Sequence, residues 1–241
     1  MKKIPEIAIT FWLMKICATT LGETAGDLLS MTMNVGYAVS SVILISFFFA
    51  TLAIQLLSKK YNPIVYWLVI LSTSTAGTTM SDYMDRTLGL GYATGSAILI
   101  AILLTIFALW RWSEKSLSVT NITTFKGEIF YWTAILFSNT LGTAVGDFLA
   151  DDSGLGFLGG AVLIVSLLAL VVLAKYLTKI STVLLFWIAF VLTRPFGATF
   201  GDLLTKSTEK GGLNLGTIES SLILFLILIL LLIIDKKKKI A

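Results

Sequence analysis

The sequence lacks the residues on which most soft-metal and redox sites are built. It contains no histidine and one cysteine, Cys17, among 241 residues. A single cysteine cannot form an internal disulfide, and zinc, copper, haem and iron–sulfur sites depend on imidazole or thiolate ligands. We therefore expect no cofactor of these kinds and no histidine-based catalysis, so that a bound ion would be held by oxygen atoms.

Charged residues are scarce as well. They make up 13% of the chain against 56% hydrophobic residues, whereas a soluble domain carries about a quarter charged residues. Four stretches with almost no ionisable group, 35–57, 93–110, 155–174 and 213–234, approach the roughly 20 residues that cross a lipid bilayer as a helix. The sequence predicts a multi-pass membrane protein. Its net charge of +4 comes from lysines at predicted helix ends and does not indicate binding to nucleic acid.

Four segments of the chain align when they are superimposed on an aspartate. The aspartates are Asp27, Asp82, Asp147 and Asp202, separated by 55, 65 and 55 residues. We number positions within a copy from its aspartate: a tryptophan stands at position −15, a glycine at position −5 and, in three copies, a second glycine at position −1. A further glycine follows at position +9, or after a five-residue insertion in the fourth copy. The chain is therefore predicted to be four copies of a two-helix hairpin.

The predicted architecture is an all-α membrane protein in which four parallel hairpins supply eight transmembrane helices. The helices lie at roughly 8–31, 35–57, 63–86, 91–112, 128–150, 156–176, 181–205 and 214–234. Residues 1–120 contain the first two copies and residues 121–241 the other two, within a single transmembrane domain. Because two helices return the chain to its starting side, all copies point the same way across the membrane.

Basic residues mark one end of the predicted hairpins. That end carries Lys2, Lys3, Lys59, Lys60, Arg111, Lys115, Lys126, Lys175, Lys179 and Lys236 to Lys239. The other end carries Arg86, Lys206 and Lys210 beside several acidic residues. The positive-inside rule then places both termini in the cytoplasm, with the tryptophans as interface anchors near that side. Each aspartate is expected about 22 Å further out, in the outer part of the membrane.

A polar stripe runs along each odd-numbered helix. Positions −8, −7 and −4 fall within about 80° of the aspartate on an ideal helix, and they hold mainly Thr, Ser and Asn. The glycines at −5 and −1 lie on another face, where they let helices approach closely. A carboxylate at the bilayer centre costs about 2.5–3.5 kcal/mol, so we expect the four stripes to face a common axis. The alternative is that the aspartates cap helices or turns at the membrane surface.

Three charged residues interrupt this regularity. Glu23 stands at position −4 of the first copy, Arg194 at position −8 of the fourth, and Lys15 at position −12 of the first. We expect functional roles for Glu23 and Arg194 because each breaks the symmetry in one copy. Lys15 either shares such a role or extends to the cytoplasmic interface. Pro195 is expected to break or kink the seventh helix.

The repeated motifs "LGETAGDLL", "LGTAVGDFL" and "FGATFGDLL" resemble those of a family of bacterial integral membrane proteins. That family is built from a repeat catalogued as domain of unknown function 347, and the resemblance covers nearly the whole chain. The second copy departs from the pattern, because Ser81 replaces the glycine before Asp82. The resemblance implies the repeat fold and a location in the bacterial inner membrane, and it implies no activity.

Carboxylate and hydroxyl oxygens suit Mg²⁺, Mn²⁺, Ca²⁺ or protons better than soft metals. The sequence therefore suggests a transporter for a small cation, of the Mn²⁺ and Mg²⁺ class of divalent metals, with proton coupling as an additional feature. The expected ion ligands are Asp27, Asp82, Asp147, Asp202 and Glu23. Arg194 would be an internal counter-charge, and the path would be lined by Thr20, Thr75 and Thr140. The expected partners are the lipid bilayer and the transported solute, and the sequence does not indicate an oligomeric state.

Several other functions remain open from the sequence. A cation channel would use the aspartates as a ring, and a carrier of a small charged organic solute would use Glu23 and Arg194 as a clamp for a zwitterion. A membrane scaffold would need the polar stripe only to join helices. An intramembrane aspartyl protease is least favoured, because the first glycine of its Gly-x-Gly-Asp motif, three positions before the aspartate, is absent from every copy. We therefore do not expect an enzyme.

Overall fold

A computed structural model describes residues 4–238, and Lys2, Lys3 and Lys239 of the predicted basic end lie outside this range. Each copy supplies an axial helix that contains its aspartate and a peripheral helix that follows it. The axial helices are α1 Ile9–Asp27, α3 Pro63–Asp82, α5 Phe125–Asp147 and α7 Thr182–Thr205. The peripheral helices are α2 Tyr37–Leu57, α4 Tyr92–Glu114, α6 Gly156–Leu177 and α8 Thr217–Lys238. Eight long helices thus account for the four predicted hairpins over the described residues.

The axial helices form a closed ring. Helix α1 packs on α3, α3 on α5, α5 on α7, and α7 returns to α1. Each peripheral helix packs against the axial helix of the next copy, so that α2 lies on α3, α4 on α5 and α6 on α7. The last helix, α8, completes this pattern by packing on α1. The four polar stripes consequently face one shared interior.

Glycines set the spacing of the axial helices. The glycine at position −1 of one copy faces position −4 of the next: a Cβ added to Gly26 would lie 2.9 Å from Thr78 Cβ, and one added to Gly146 would lie 2.6 Å from Ala198 Cβ. The glycines at position −5 face position −8 of the next copy in the same way. On both helices the contact positions advance toward the C-terminus together, as they do when two neighbouring helices run in the same direction. The close packing predicted from the glycine pattern is confirmed.

The helical backbone continues past each aspartate. Beyond Asp27, Asp82 and Asp147 the chain makes one π-helical turn, over Leu28–Thr32, Tyr83–Thr87 and Phe148–Asp152. The repeated glycine then turns the chain into the peripheral helix with positive φ, at 81° for Gly36, 72° for Gly91 and 67° for Gly156. Only glycine adopts this backbone conformation without strain, which explains why it recurs.

The fourth copy differs in two ways from the prediction. Helix α7 runs without interruption through Pro195, so a break is wrong, and the alternative of a kink stays a prediction. The inserted residues after α7 fold back, and the backbone N–H groups of Leu213 and Leu215 donate to carbonyls of Leu203 and Leu204 at 2.7 and 2.8 Å. Because these bonds hold the segment against the end of α7, helix α8 begins at residue 217 rather than 214.

The exterior is apolar. Within residues 4–238, five helices, α2, α4, α6, α7 and α8, are long and apolar enough to cross a membrane by length and composition. Large side chains such as Phe49, Val162 and Leu226 are 58%, 57% and 56% exposed on the peripheral helices. An apolar belt around a polar interior is typical of a membrane protein. Helices α1, α3 and α5 are less apolar because their buried faces carry the polar stripes.

An aromatic layer closes the ring at the end opposite the aspartates. The aromatic residue at position −16 of each copy contacts the tryptophan of the next, with ring centroids 5.4–6.2 Å apart. The layer consists of Phe11, Tyr66, Tyr131, Phe186, Trp12, Trp67, Trp132 and Trp187. Trp67 and Trp132 are each 1% exposed, and Trp187 is 4% exposed. For these three tryptophans the expected role of interface anchor is wrong, because they are buried inside the ring.

Candidate functional site

The four repeat aspartates converge near the end of the ring opposite the aromatic layer. Each is 2–3% exposed. The side chains of Asp27, Asp82 and Asp147 make no capping hydrogen bond at the following turn. The four aspartates therefore face the shared interior that the polar stripes predicted. The alternative, in which the aspartates cap helices or turns, is wrong for Asp27, Asp82 and Asp147 at the turns that follow them.

Two basic residues at position +4 join the aspartates in pairs. Arg86 lies 3.0 Å from Asp82 on its own helix and 3.0 Å from Asp147 on α5. Lys206 lies 2.5 Å from Asp27 on α1 and 3.1 Å from Asp202. The contact with Asp202 is an ion pair without hydrogen-bond geometry. Each base thus links two neighbouring axial helices and serves two carboxylates.

The surroundings of both bases favour their charged forms. Burial alone would favour the uncharged amine of Lys206, but the carboxylates of Asp202 and Asp27 outweigh it and raise the pKa of Lys206 above its ordinary value. The guanidinium of Arg86 lies between two aromatic rings, 5.9 Å from the centroid of Tyr37 and 5.6 Å from that of Tyr92. Such contacts stabilise a cation at a partly exposed site.

Arg194 and Glu23, which break the repeat, are bonded to each other. Arg194 Nη2 donates to Glu23 Oε2 at 2.7 Å, and the two residues are 0% and 3% exposed. The same nitrogen donates to Thr78 at 2.5 Å and to Thr143 at 2.7 Å. Since these acceptors lie at position −4 of the other three copies, one guanidinium from α7 contacts every other axial helix.

The remaining nitrogens of Arg194 are incompletely bonded. Its Nε and Nη1 atoms are buried and have no hydrogen-bond partner among residues 4–238. A buried donor without an acceptor costs about 1–3 kcal/mol, and more when the group is charged. The guanidinium is therefore held through one of its three nitrogens and is not saturated by the protein.

Three carboxylates lie close enough to share one ion. Glu23, Asp147 and Asp202 come from three different axial helices, and each offers an oxygen within 4.8 Å of the others. We call them the carboxylate triad. Around the axis, five carboxylates face the three basic side chains of Arg86, Arg194 and Lys206, so full ionisation leaves an excess of two negative charges.

Lys15 lies inside the ring and not at its surface. It is 0% exposed, its Nζ donates to Asn139 Oδ1 at 3.3 Å, and it sits 4.2 Å from the centroid of the Phe190 ring. Asn139 in turn donates to Thr73 at 2.9 Å. Extension of Lys15 to the interface is therefore wrong for this structure. The ammonium compensates part of the excess negative charge from the layer between the triad and the aromatic layer.

The predicted path threonines are buried, but they bond within their own helices. Thr20 donates to the carbonyl of Ile16 and Thr140 to that of Leu136, each at 3.0 Å, while Thr75 donates to the carbonyl of Ser72 at 3.1 Å. Their role in lining a path stays a prediction. The threonines that contact Arg194 are at position −4 instead.

Sequence reasoning missed four members of this site: Arg86, Lys206, Thr78 and Thr143. The two bases were considered only as charges at the outer end of the hairpins, yet each stands four residues after a repeat aspartate, which places it on the same helical face. Their cross-helix partners could not be found without knowing which axial helices are neighbours. The two threonines belong to the polar stripe, and their importance depends on where Arg194 points.

The matches to a protein-family model follow the same four-hairpin organisation. The family model described as Repeat of Unknown Function (DUF347) matches four times, over residues 10–61, 65–116, 130–181 and 185–239. Each match covers one axial helix and the peripheral helix that follows it. No curated protein and no solved structure matches the chain. The roles of the site residues consequently have to be argued from their own chemistry.

Proposed function

The chain belongs to the family built from the Repeat of Unknown Function (DUF347), and from the chemistry of its axis we propose that it transports a small divalent cation of the Mn²⁺ and Mg²⁺ class. In this proposal all eight helices cross a bacterial inner membrane, with both termini in the cytoplasm and the aspartates toward the outside. The cation binds between the axial helices, and protons exchange with it on the carboxylates.

The carboxylate triad is the observation that carries this proposal. Oxygen ligands surround Mg²⁺ at about 2.0–2.1 Å and Ca²⁺ at about 2.3–2.6 Å, so two ligands of one ion are at most about 4–5 Å apart. The oxygens of Glu23, Asp147 and Asp202 lie within 4.8 Å of one another, which is inside the limit of about 5.2 Å for Ca²⁺, and they would have to move closer together by about half an ångström to bind Mg²⁺ or Mn²⁺. Because the three carboxylates lie on three different axial helices, an ion bound to them would connect three of the four helices of the ring.

Charge balance favours binding of a cation. The five carboxylates exceed Arg86, Arg194 and Lys206 by two charges, or by one when the buried Lys15 of the next layer is also charged, and a divalent cation or protons on the carboxylates would neutralise this excess. Like charges in a buried cluster repel strongly and cannot all stay ionised without such a partner. Uptake of the metal in exchange for protons follows directly from this equivalence.

The closure of both ends supports a carrier over an open channel. Toward the aspartate end, the side chains of Arg86 and Lys206 cover the carboxylates and are 29% and 17% exposed. Toward the other end, six of the eight side chains of the aromatic layer are buried, and each copy is in ring contact with the next. A thin ionic gate on one side and a thick aromatic gate on the other suit alternating access to a site between them.

Reconstitution into proteoliposomes tests this function. We expect saturable uptake of Mn²⁺, Mg²⁺ or Ca²⁺ by the wild type, and Asp147→Asn should lower the rate at least tenfold because it removes a triad charge. Asp152→Asn is the matched control, because Asp152 is exposed at the end of the π-helical turn and its substitution should leave the rate unchanged. Equal flux in wild type and Asp147→Asn for every cation would contradict the proposal.

A further inference from the structure

We propose that Arg194 is a tethered cation: its guanidinium occupies the binding layer when no substrate is present, and the transported cation must displace it from Glu23. This inference rests on the proposed transport function and assigns a coupling role to one residue of the same site. The displaced guanidinium stays inside the ring and returns to Glu23 when the substrate leaves.

The first argument is the reciprocity of the two residues. Glu23 and Arg194 are the charges at positions −4 and −8 that occur in a single copy each, and each is the other's ion-pair partner at 2.7 Å. A structural ion pair could be replaced by the hydroxyl or amide groups that the other copies use at these positions. Retaining a full buried pair at the axis instead is costly, since desolvation of two charges commonly exceeds their attraction.

The second argument is the double use of Glu23. Its carboxylate accepts from Arg194, and it also belongs to the triad with Asp147 and Asp202. A divalent cation bound by the triad would stand close to the guanidinium, and two positive centres in a poorly hydrated interior repel each other strongly. Substrate and guanidinium therefore compete for the same carboxylate.

The third argument is that Arg194 is bonded in a way that permits release. A guanidinium can donate five hydrogen bonds, yet the Nε and Nη1 atoms of Arg194 have no partner among residues 4–238. Thr78 and Thr143 would remain as acceptors for Nη2 after Glu23 turned toward an ion. Displacement then requires a rotation of Glu23 and a small movement of the guanidinium, and the stem of Arg194 stays packed against Gly142.

This arrangement explains how the carrier would avoid leaking. When the site is empty, Arg194 neutralises Glu23 and protons neutralise the remaining carboxylate charge, so the ring can reorient without carrying an uncompensated buried charge. When the site is loaded, the metal takes over that neutralisation. Substitution of Arg194 should thus strengthen binding while weakening the link between binding and transport.

The binding experiment uses the full-length protein in detergent with Mn²⁺ as the probe. Arg194→Gln should bind Mn²⁺ at least about tenfold more tightly than wild type, because removing a buried like charge near the ion removes its repulsion. Arg194→Lys is the matched control, since it keeps the charge, and its Kd should stay within about threefold of wild type. Equal or weaker binding by Arg194→Gln would overturn the tethered-cation role.

A chemical complementation experiment extends the test. Arg194→Ala leaves space for free guanidinium, which should compete with Mn²⁺ in this variant at millimolar concentrations and should not do so in wild type. If guanidinium has no effect on Mn²⁺ binding by the variant, the site does not exchange a guanidinium for the metal and the inference fails.

A structure of the Mn²⁺-loaded wild type provides a readout that needs no variant. The Nη2–Oε2 distance between Arg194 and Glu23, 2.7 Å here, should open beyond hydrogen-bond range when the ion is bound. An ion in the triad with this bond intact would refute the inference alone. Failure of wild type to bind any divalent cation would refute the proposed function itself.

Discussion

At the scale of single residues, the two bases at position +4 hold the charge of the aspartate layer in balance. Arg86 and Lys206 each serve two aspartates on neighbouring helices, so each carboxylate pair shares one positive charge. Neither base has an equivalent in the other copies, where Met31 and Asp151 occupy position +4. The bases of the aspartate layer therefore follow a twofold pattern, because only the second and fourth copies contribute one.

Removal of Lys206 should destabilise the protein. Lys206→Gln leaves Asp27 and Asp202 without their shared counter-charge, and we expect the free energy of unfolding to fall on the order of 2–4 kcal/mol. Lys210→Gln is the control, because Lys210 is exposed and such substitutions change stability by about 0.5 kcal/mol or less. The deficit, measured by thermal unfolding in detergent, should shrink as the pH falls, because protonated aspartates need no counter-charge. A deficit that is equal at all pH values would contradict this explanation.

At the scale of secondary structure, the glycines of the axial helices fix how close the polar stripes come to one another. Gly26, Gly146 and Gly201 each face a side chain of the next axial helix at a distance that leaves no room for a Cβ. Close approach brings the position −4 side chains within reach of one guanidinium. Packing and site geometry are thus set by the same pattern.

A substitution at one of these glycines should separate two axial helices. Gly146→Ala places a methyl group about 2.6 Å from Ala198 Cβ, and overpacking of this kind costs about 1–3 kcal/mol. Gly159→Ala is the control on α6, where the added Cβ would meet the side chain of Leu155 at 3.2 Å, and a gain in helix propensity of up to about 1 kcal/mol offsets that contact. Thermal unfolding of both variants tests this prediction. Equal stability of the two variants would show that α5 and α7 are not tightly packed at Gly146.

The repeat pattern was sufficient to predict the hairpins and the glycine-mediated packing, because both depend on local spacing. It could not predict the π-helical turns after the aspartates or the continuity of α7 through Pro195. Proline removes one hydrogen bond and costs about 3 kcal/mol in a helix interior, but α7 is held on both sides by α1 and α5. The bonds of Arg194 and Lys206 were equally hidden, because they depend on which helices become neighbours.

At the scale of the whole molecule, the ring is closed by packing between the two ends of the chain. Helix α8 lies on α1, and α7 contacts α1 through Gly197 and Thr19. Asp235 near the end of α8 also accepts a hydrogen bond from Thr10 at 3.4 Å. The peripheral helices surround the axial ones and present their apolar side chains outward. In the proposed topology the polar helices α1, α3 and α5 also cross the membrane, because the apolar peripheral helices surround them.

Cysteine labelling in cells tests this topology. In a Cys17→Ala background, Met33→Cys and Leu88→Cys should react with an impermeant maleimide from outside, and Lys59→Cys and Ser116→Cys only after the membrane is opened. The reason is that, in the proposed topology, each helix between these positions crosses the membrane once. Labelling of positions 59 and 88 from the same side would show that α3 does not cross.

The most direct measurement of the central claim is anomalous diffraction from crystals of the wild type grown with Mn²⁺. The account predicts one strong peak inside the ring of axial helices, about 2.2 Å from carboxylate oxygens of Glu23, Asp147 and Asp202. Peaks confined to exposed acidic residues, with the carboxylate triad empty at saturating Mn²⁺, would contradict it.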